Sequence, residues 1–125
     1  MELNTISGEI VDASIKVHTA LGPGLLESVY LKCLQYELRK RGLQADSEIP
    51  VPVVYDGVHI ETGYRLDILV QSEVIVETKS VADVPPLSKA QVLSYLRLKK
   101  KKLGLLLNFN VEHMKDGIFR IVNNF

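Results

Sequence analysis

Three acidic residues and one lysine, far apart in the chain, are of the types that hold a divalent cation and cleave a phosphate ester. Asp67, Glu77 and Lys79 lie within "YRLDILVQSEVIVETKS", two strand-like runs joined by a short turn, and Glu27 lies in "LLESVYLKCLQYELRKRG". Side chains two apart on a strand project to one face, so Glu77 and Lys79 point together and Thr78 points away. Asp67 on the neighbouring strand then falls close to Glu77. Two close carboxylates repel unless a cation or a proton sits between them, and Mg²⁺, with Mn²⁺ as a substitute, suits such hard oxygen ligands. The ion would offset developing charge and lower the pKa of a bound water, while Lys79 would hold that water or the phosphorane oxygens. The chemistry is phosphodiester hydrolysis. The same residues also suit an arrangement in which Asp67 and Lys79 form a cross-strand ion pair and Glu77 faces solvent.

These residues need a scaffold, and the chain supplies alternating helix and strand signals. Apolar residues at helical spacing from Thr5 to Ala20 predict a first helix, stopped by "LGPG" at Leu21–Gly24. A second helix is predicted over Leu25–Arg41, with Gly42 as its terminating residue. On it Glu27 shares a stripe with Leu31, Leu34 and Leu38, which directs its carboxylate toward the sheet or its rim; an exposed first-turn Glu favoured by the helix dipole is the alternative. Ile49–Tyr55 is β-branched with prolines at 50 and 52, which fits an edge strand, and "YDGV" supplies a turn. Strands over Tyr64–Val70 and Val74–Thr78 follow, then a helix over Ser88–Lys99, and "LGLLLNFN" and "GIFRIV" close the chain as strands. The order ααβββαββ implies an α/β fold with a single mixed central β-sheet flanked by helices.

Composition bounds the rest. The 125 residues, 46% apolar, suffice for one compact core, so one domain spanning 1–125 is expected. The lone cysteine, Cys33, cannot form an internal disulfide and no export signal opens the chain, which points to the cytoplasm. No apolar run approaches the roughly 20 residues of a membrane helix. Formal net charge is zero, so a nucleic-acid partner must be bound by local charge. "RLKKKK" at Arg97–Lys102 is the one concentrated positive run, and Lys99, Lys100 and Lys101 could grip a phosphate backbone or simply solvate a helix end. His59 and His113 lack ligand partners, and no C-x-x-C or H-x-x-x-H spacing argues for zinc. No phosphate-binding glycine loop or serine nucleophile elbow is present, so a nucleotide cofactor has no support and serine hydrolysis is argued against.

In order, spacing and context the chain resembles the PD-(D/E)XK nuclease superfamily, and within it the small proteins named for the signature GxxExxY. That signature stands here as Gly24-Leu25-Leu26-Glu27-Ser28-Val29-Tyr30, and the resemblance continues through "GYRLDILV", "VIVETKS", "AQVLSYL", "LGLLLNFN" and "KDGIFRIV". It implies a restriction-endonuclease-like core. It places Glu27 as the acidic residue of the first core helix, Asp67 as the metal-binding aspartate, and Glu77 and Lys79 as the E-x-K pair. Gln91 and Tyr95 match the Q-x-x-x-Y pattern of the recombination-exonuclease branch, in which the glutamine orients the lysine or the metal-bound water. Thr78 departs from the apolar residue usual in that position, with only its backbone carbonyl expected to face a metal. His18 matches a histidine common before the signature, and Tyr30 closes the signature itself; both are accessory candidates. The implied activity is Mg²⁺-dependent cleavage of DNA, with a second copy or a partner subunit supplying further contact surface. The alternative is a nucleic-acid-binding or regulatory domain on the same fold that cleaves nothing.

Overall fold

The computed structural model describes residues 1–125. Helix α1, Leu3–Leu21, buries Ile6, Ile10, Ala13 and Val17 along one stripe, and Gly22, at φ 70°, ends it by donating its N–H to the His18 carbonyl. Helix α2, Glu27–Lys40, buries Tyr30, Leu34 and Leu38 against α1 and the sheet, and Gly42 at φ 83° turns the chain out of it. Helix α3, Pro86–Lys99, begins on a proline, which costs no hydrogen bond at a first helical position.

The main sheet has five strands: β1 (Ala45–Pro50), β4 (Arg65–Val70), β5 (Val74–Lys79), β6 (Leu103–Asn108) and β7 (Ile118–Val122), in spatial order β1-β4-β5-β6-β7. Only β5 and β6 are parallel, and α3 provides the crossover that a parallel pair requires. These two central strands are covered on both faces, which is why "VIVET" and "LGLLLN" are continuously buried. An 18-residue core packs α1 and α2 on one face, and a smaller cluster of Val51, Leu66, Leu69, Ile75, Tyr95 and Leu96 packs α3 on the other. No helix is long and apolar enough to cross a membrane.

The α/β class, the mixed central sheet and the element order of that sheet follow the sequence reading, with a correction at one place. The expected edge strand over Ile49–Tyr55 is divided. Its first part belongs to β1, which is the sheet edge and extends back to Ala45, while Val53–Tyr55 is β2 of a separate antiparallel hairpin with β3, Val58–Ile60. Pro52, without an N–H, cannot continue the ladder, and Val51 turns inward to the α3-side core. The turn of this hairpin is Asp56-Gly57, both at positive φ, as "YDGV" implied.

Candidate acidic site at the end of the central strand

Two strand irregularities make the site. Along β4, Leu66 packs on the α3 side whereas Ile68 and Val70 pack on the α1–α2 side, so the alternation breaks at Asp67. Opposite, the β1–β4 register pairs Ser47 with Ile68 and Ile49 with Leu66 but skips Glu48 and Asp67, and Glu48 has a left-handed φ of 56°. Such breaks in the pleat re-aim a side chain and end regular pairing. On its other side β4 pairs with β5 only as far as Ile68–Val76. Beyond that point side chains replace the ladder: the Asp67 N–H donates to Glu77 Oε1 at 3.1 Å, and the Thr78 N–H donates to Asp67 Oδ2 at 2.8 Å. The two carboxylates are thereby locked side by side where the strands part. Neither Asp67 Oδ1 nor Glu77 Oε2 has a hydrogen-bond partner in the chain.

Glu77 is buried, at 6% exposure, with a carboxylate neighbour. Burial first, and then the charge of Asp67, push its pKa up to about 8, against the smaller opposing pull of Lys79. Lys79 is half-buried at the end of β5 and sits in no ion pair, so the alternative of an Asp67–Lys79 bridge is not what forms. Its backbone is pinned by Phe109, whose N–H donates to the Lys79 carbonyl at 2.9 Å.

Mg²⁺ is usually held by one or two carboxylates together with waters and substrate phosphates. The donor set of Asp67 Oδ1 and Glu77 Oε2, close together, mutually repulsive and unengaged, fits that pattern. No third acid, histidine or cysteine joins them to form a three-ligand cluster. Glu27 is exposed on the first turn of α2, the position open to the helix dipole, and it makes no ion pair. It stands near the strand end nonetheless, because Ser80 Oγ donates to the Leu25 carbonyl at 2.6 Å and ties the approach to α2 to the residue after Lys79.

A profile of the PD-(D/E)XK nuclease superfamily matches residues 4–121. The chain belongs to this superfamily. Neither the curated proteins nor the solved structures compared with it contain a significant match.

In this PD-(D/E)XK protein the remaining predicted residues divide into those near the acidic pair and those that build its frame. Tyr95, buried on α3, lies within reach of the Glu77 and Asp67 charges; its own burial, then Glu77, push its phenol pKa up to about 12. Gln91, one turn earlier, is half-buried beside it in a shared cavity wall. Lys99 reaches the Pro50 carbonyl at 3.5 Å, Lys100 ends α3 in a left-handed conformation with its side chain in solvent, and Lys101 is half-buried. His18 is buried, and its Nε2 donates to the Val111 carbonyl at 2.7 Å, which ties α1 to the loop after β6. Tyr30 is fully buried and stacked on Phe109 at 4.5 Å; its hydroxyl donates to the Gly22 carbonyl and accepts from the Leu25 N–H, closing the "LGPG" loop.

Two contributors escaped the sequence reading. The E-x-K pattern assigns Thr78 only a backbone role, yet its hydroxyl donates to Asp67 Oδ2 at 2.9 Å, because the carboxylate reaches across the strand gap to the Thr78 edge. Asn108 is buried at 3% exposure; its amide donates to the Val81 carbonyl and its Oδ1 accepts from the N–H groups of Val81 and Asn110. It holds the segment that leaves Lys79. A lone asparagine ending an apolar strand, in "LGLLLNFN", was the available signal.

Proposed function

We propose that this protein is a Mg²⁺-dependent nuclease of the GxxExxY group that hydrolyses phosphodiester bonds in DNA. The observation that carries the reading is the pair of carboxylates at Asp67 and Glu77, fixed by reciprocal side-chain-to-backbone bonds beside an unpaired Lys79. Asp67 and Glu77 would hold the ion, and Mn²⁺ would serve in its place. When bound, the ion supplies charge compensation at the phosphoryl oxygens and lowers the pKa of a coordinated water. Lys79 directs its ammonium at the attacking water or the phosphorane oxygens, where developing charge strengthens its hydrogen bonds. Gln91 positions that group, Tyr95 buttresses Glu77, and Glu27 adds negative charge from the solvent side. Lys99, Lys100 and Lys101 meet the phosphate backbone, and a second copy or a partner subunit extends the contact surface.

Incubation of single- and double-stranded DNA with the wild type, Asp67→Asn and Lys79→Ala in Mg²⁺ or Mn²⁺ tests this reading. The wild type should cleave, and each variant should lose at least about 100-fold in rate. Equal cleavage by wild type and Asp67→Asn refutes it.

The lack of a third acidic ligand favours a second reading, a DNA-binding or regulatory domain that cleaves nothing. Calorimetric titration separates the two, since that reading requires no Asp67-dependent heat of Mg²⁺ binding.

A further inference from the structure

The sheet face that carries Glu77 continues into a feature the acidic pair does not use. Between α3 and the base of the β2–β3 hairpin lies a cavity of about 540 Å³, lined by residues that include Val53, Tyr64, Leu87, Gln91, Tyr95 and Arg97. Cavities of this size, mostly apolar with a few polar groups, are typical of sites for small flat ligands. Tyr64 is half exposed and belongs to neither core cluster, so part of its ring is open to solvent beside the cavity. Its ring stands 6.0 Å from that of Tyr95, tilted by 56°, and Tyr95 in turn lies within reach of the Glu77 and Asp67 charges. The wall thus runs from a solvent-facing aromatic ring to Tyr95, on the side of the sheet toward the acidic pair.

The polar groups around it form no ion pair within the chain. The Gln91 amide, which can both donate and accept, has no hydrogen-bond partner within the chain, and Arg97 at the rim has no acidic partner, nor do Lys99 and Lys100 beyond it. An aromatic face, an amide that can pair with a base edge, and a rim of free cations together match a nucleobase and its phosphate. In a continuous duplex the base faces are stacked and the pairing edges are occupied, so the ligand must be unpaired.

We propose that this cavity takes an unpaired base, stacked on Tyr64, so that the protein selects single-stranded DNA or the unpaired strand of a frayed end or flap over continuous duplex. The proposal rests on the nuclease reading for what happens at Asp67 and Glu77, but base capture itself needs neither metal nor cleavage. The test therefore reads binding in EDTA, by fluorescence anisotropy of a fluorescein-labelled mixed-sequence oligonucleotide and of its blunt duplex. The wild type and Asp67→Asn should both bind the single strand more tightly than the duplex. Tyr64→Ala should weaken single-strand binding about tenfold, the loss of one stacked base, while Tyr64→Phe retains it. A 2-aminopurine in the strand should be quenched by the wild type and by Tyr64→Phe but not by Tyr64→Ala. Equal affinity for single strand and duplex, or unchanged binding by Tyr64→Ala, overturns the proposal. So does sedimentation showing that Tyr64→Ala breaks a dimer while DNA affinity holds, which would assign the cavity to a second copy. Tyr64-dependent capture with no cleavage by the wild type sinks the nuclease reading alone; cleavage without Tyr64 dependence sinks this proposal alone.

Discussion

Glu77 is the residue on which chemistry and stability meet. Its folded pKa is raised from the ordinary carboxylate range to about 8, so between those limits the metal-free folded state binds more protons than the unfolded chain. Stability therefore falls as pH rises through that window, the reverse of a carboxylate whose folded pKa is lowered. In chelator, the urea midpoint should drop steadily from about pH 5 to pH 8; in Glu77→Gln most of that slope should vanish, and Mg²⁺ should flatten it in the wild type. An identical slope in Glu77→Gln would mean that another group sets the pH dependence. The E-x-K spacing and the preceding strand made Asp67, Glu77 and Lys79 legible as a group. The way Asp67 is held was not legible, because it depends on a broken pleat opposite Glu48. A glutamate in the left-handed region carries no sequence signal, unlike the glycines or asparagines that usually occupy it. Glu27 shows the opposite limit: helical spacing places it on an apolar stripe, but at the first position of α2 there is no preceding turn for its side chain to pack on.

Among the elements, the three helices and the central strands could be read from period and punctuation because each buries a regular face. The β2–β3 hairpin could not be separated from β1, since its residues are as β-branched as a sheet strand and only the prolines mark the cut. What holds the end of β5 in place lies in its parallel partner. Asn108 ends β6 and secures Val81 by two bonds and Asn110 by a third, while Gly117 passes so close to the Asn108 carbonyl that an added Cβ would stand 2.0 Å from it. Asn108→Ala leaves partly buried backbone groups of Val81 and Asn110 without partners and should cost about 1 to 2 kcal/mol in denaturant unfolding. It should also lower cleavage beyond what residual folded protein explains, since the Lys79 backbone is anchored one residue away, at Phe109. Unchanged stability would show that solvent reaches Val81 and replaces the amide.

For the molecule as a whole, formal charge is zero, so the proposed DNA binding has no general field to draw on and has to rest on local charge. Arg97 lines the Tyr64 cavity, and Lys99 and Lys100 follow it at the end of α3, all three without acidic partners. Replacing Lys100, Lys101 and Lys102 by alanine should reduce the slope of log affinity against log salt by about 0.7 to 0.9 for each phosphate contact removed, with little loss of folding stability. An unaltered slope would mark the run as a solvated helix end.

The β2–β3 hairpin is fastened to the rest only at its base, where the Val51 N–H meets the Tyr64 carbonyl and Thr62 Oγ1 donates to the Val51 carbonyl, and its outer residues Val54, Tyr55 and Val58 face solvent. Its tip can accordingly be lengthened, trimmed or exchanged without disturbing either core or the acidic pair at Asp67 and Glu77, which makes it the part of the chain where the shape of the neighbouring cavity can be altered by itself.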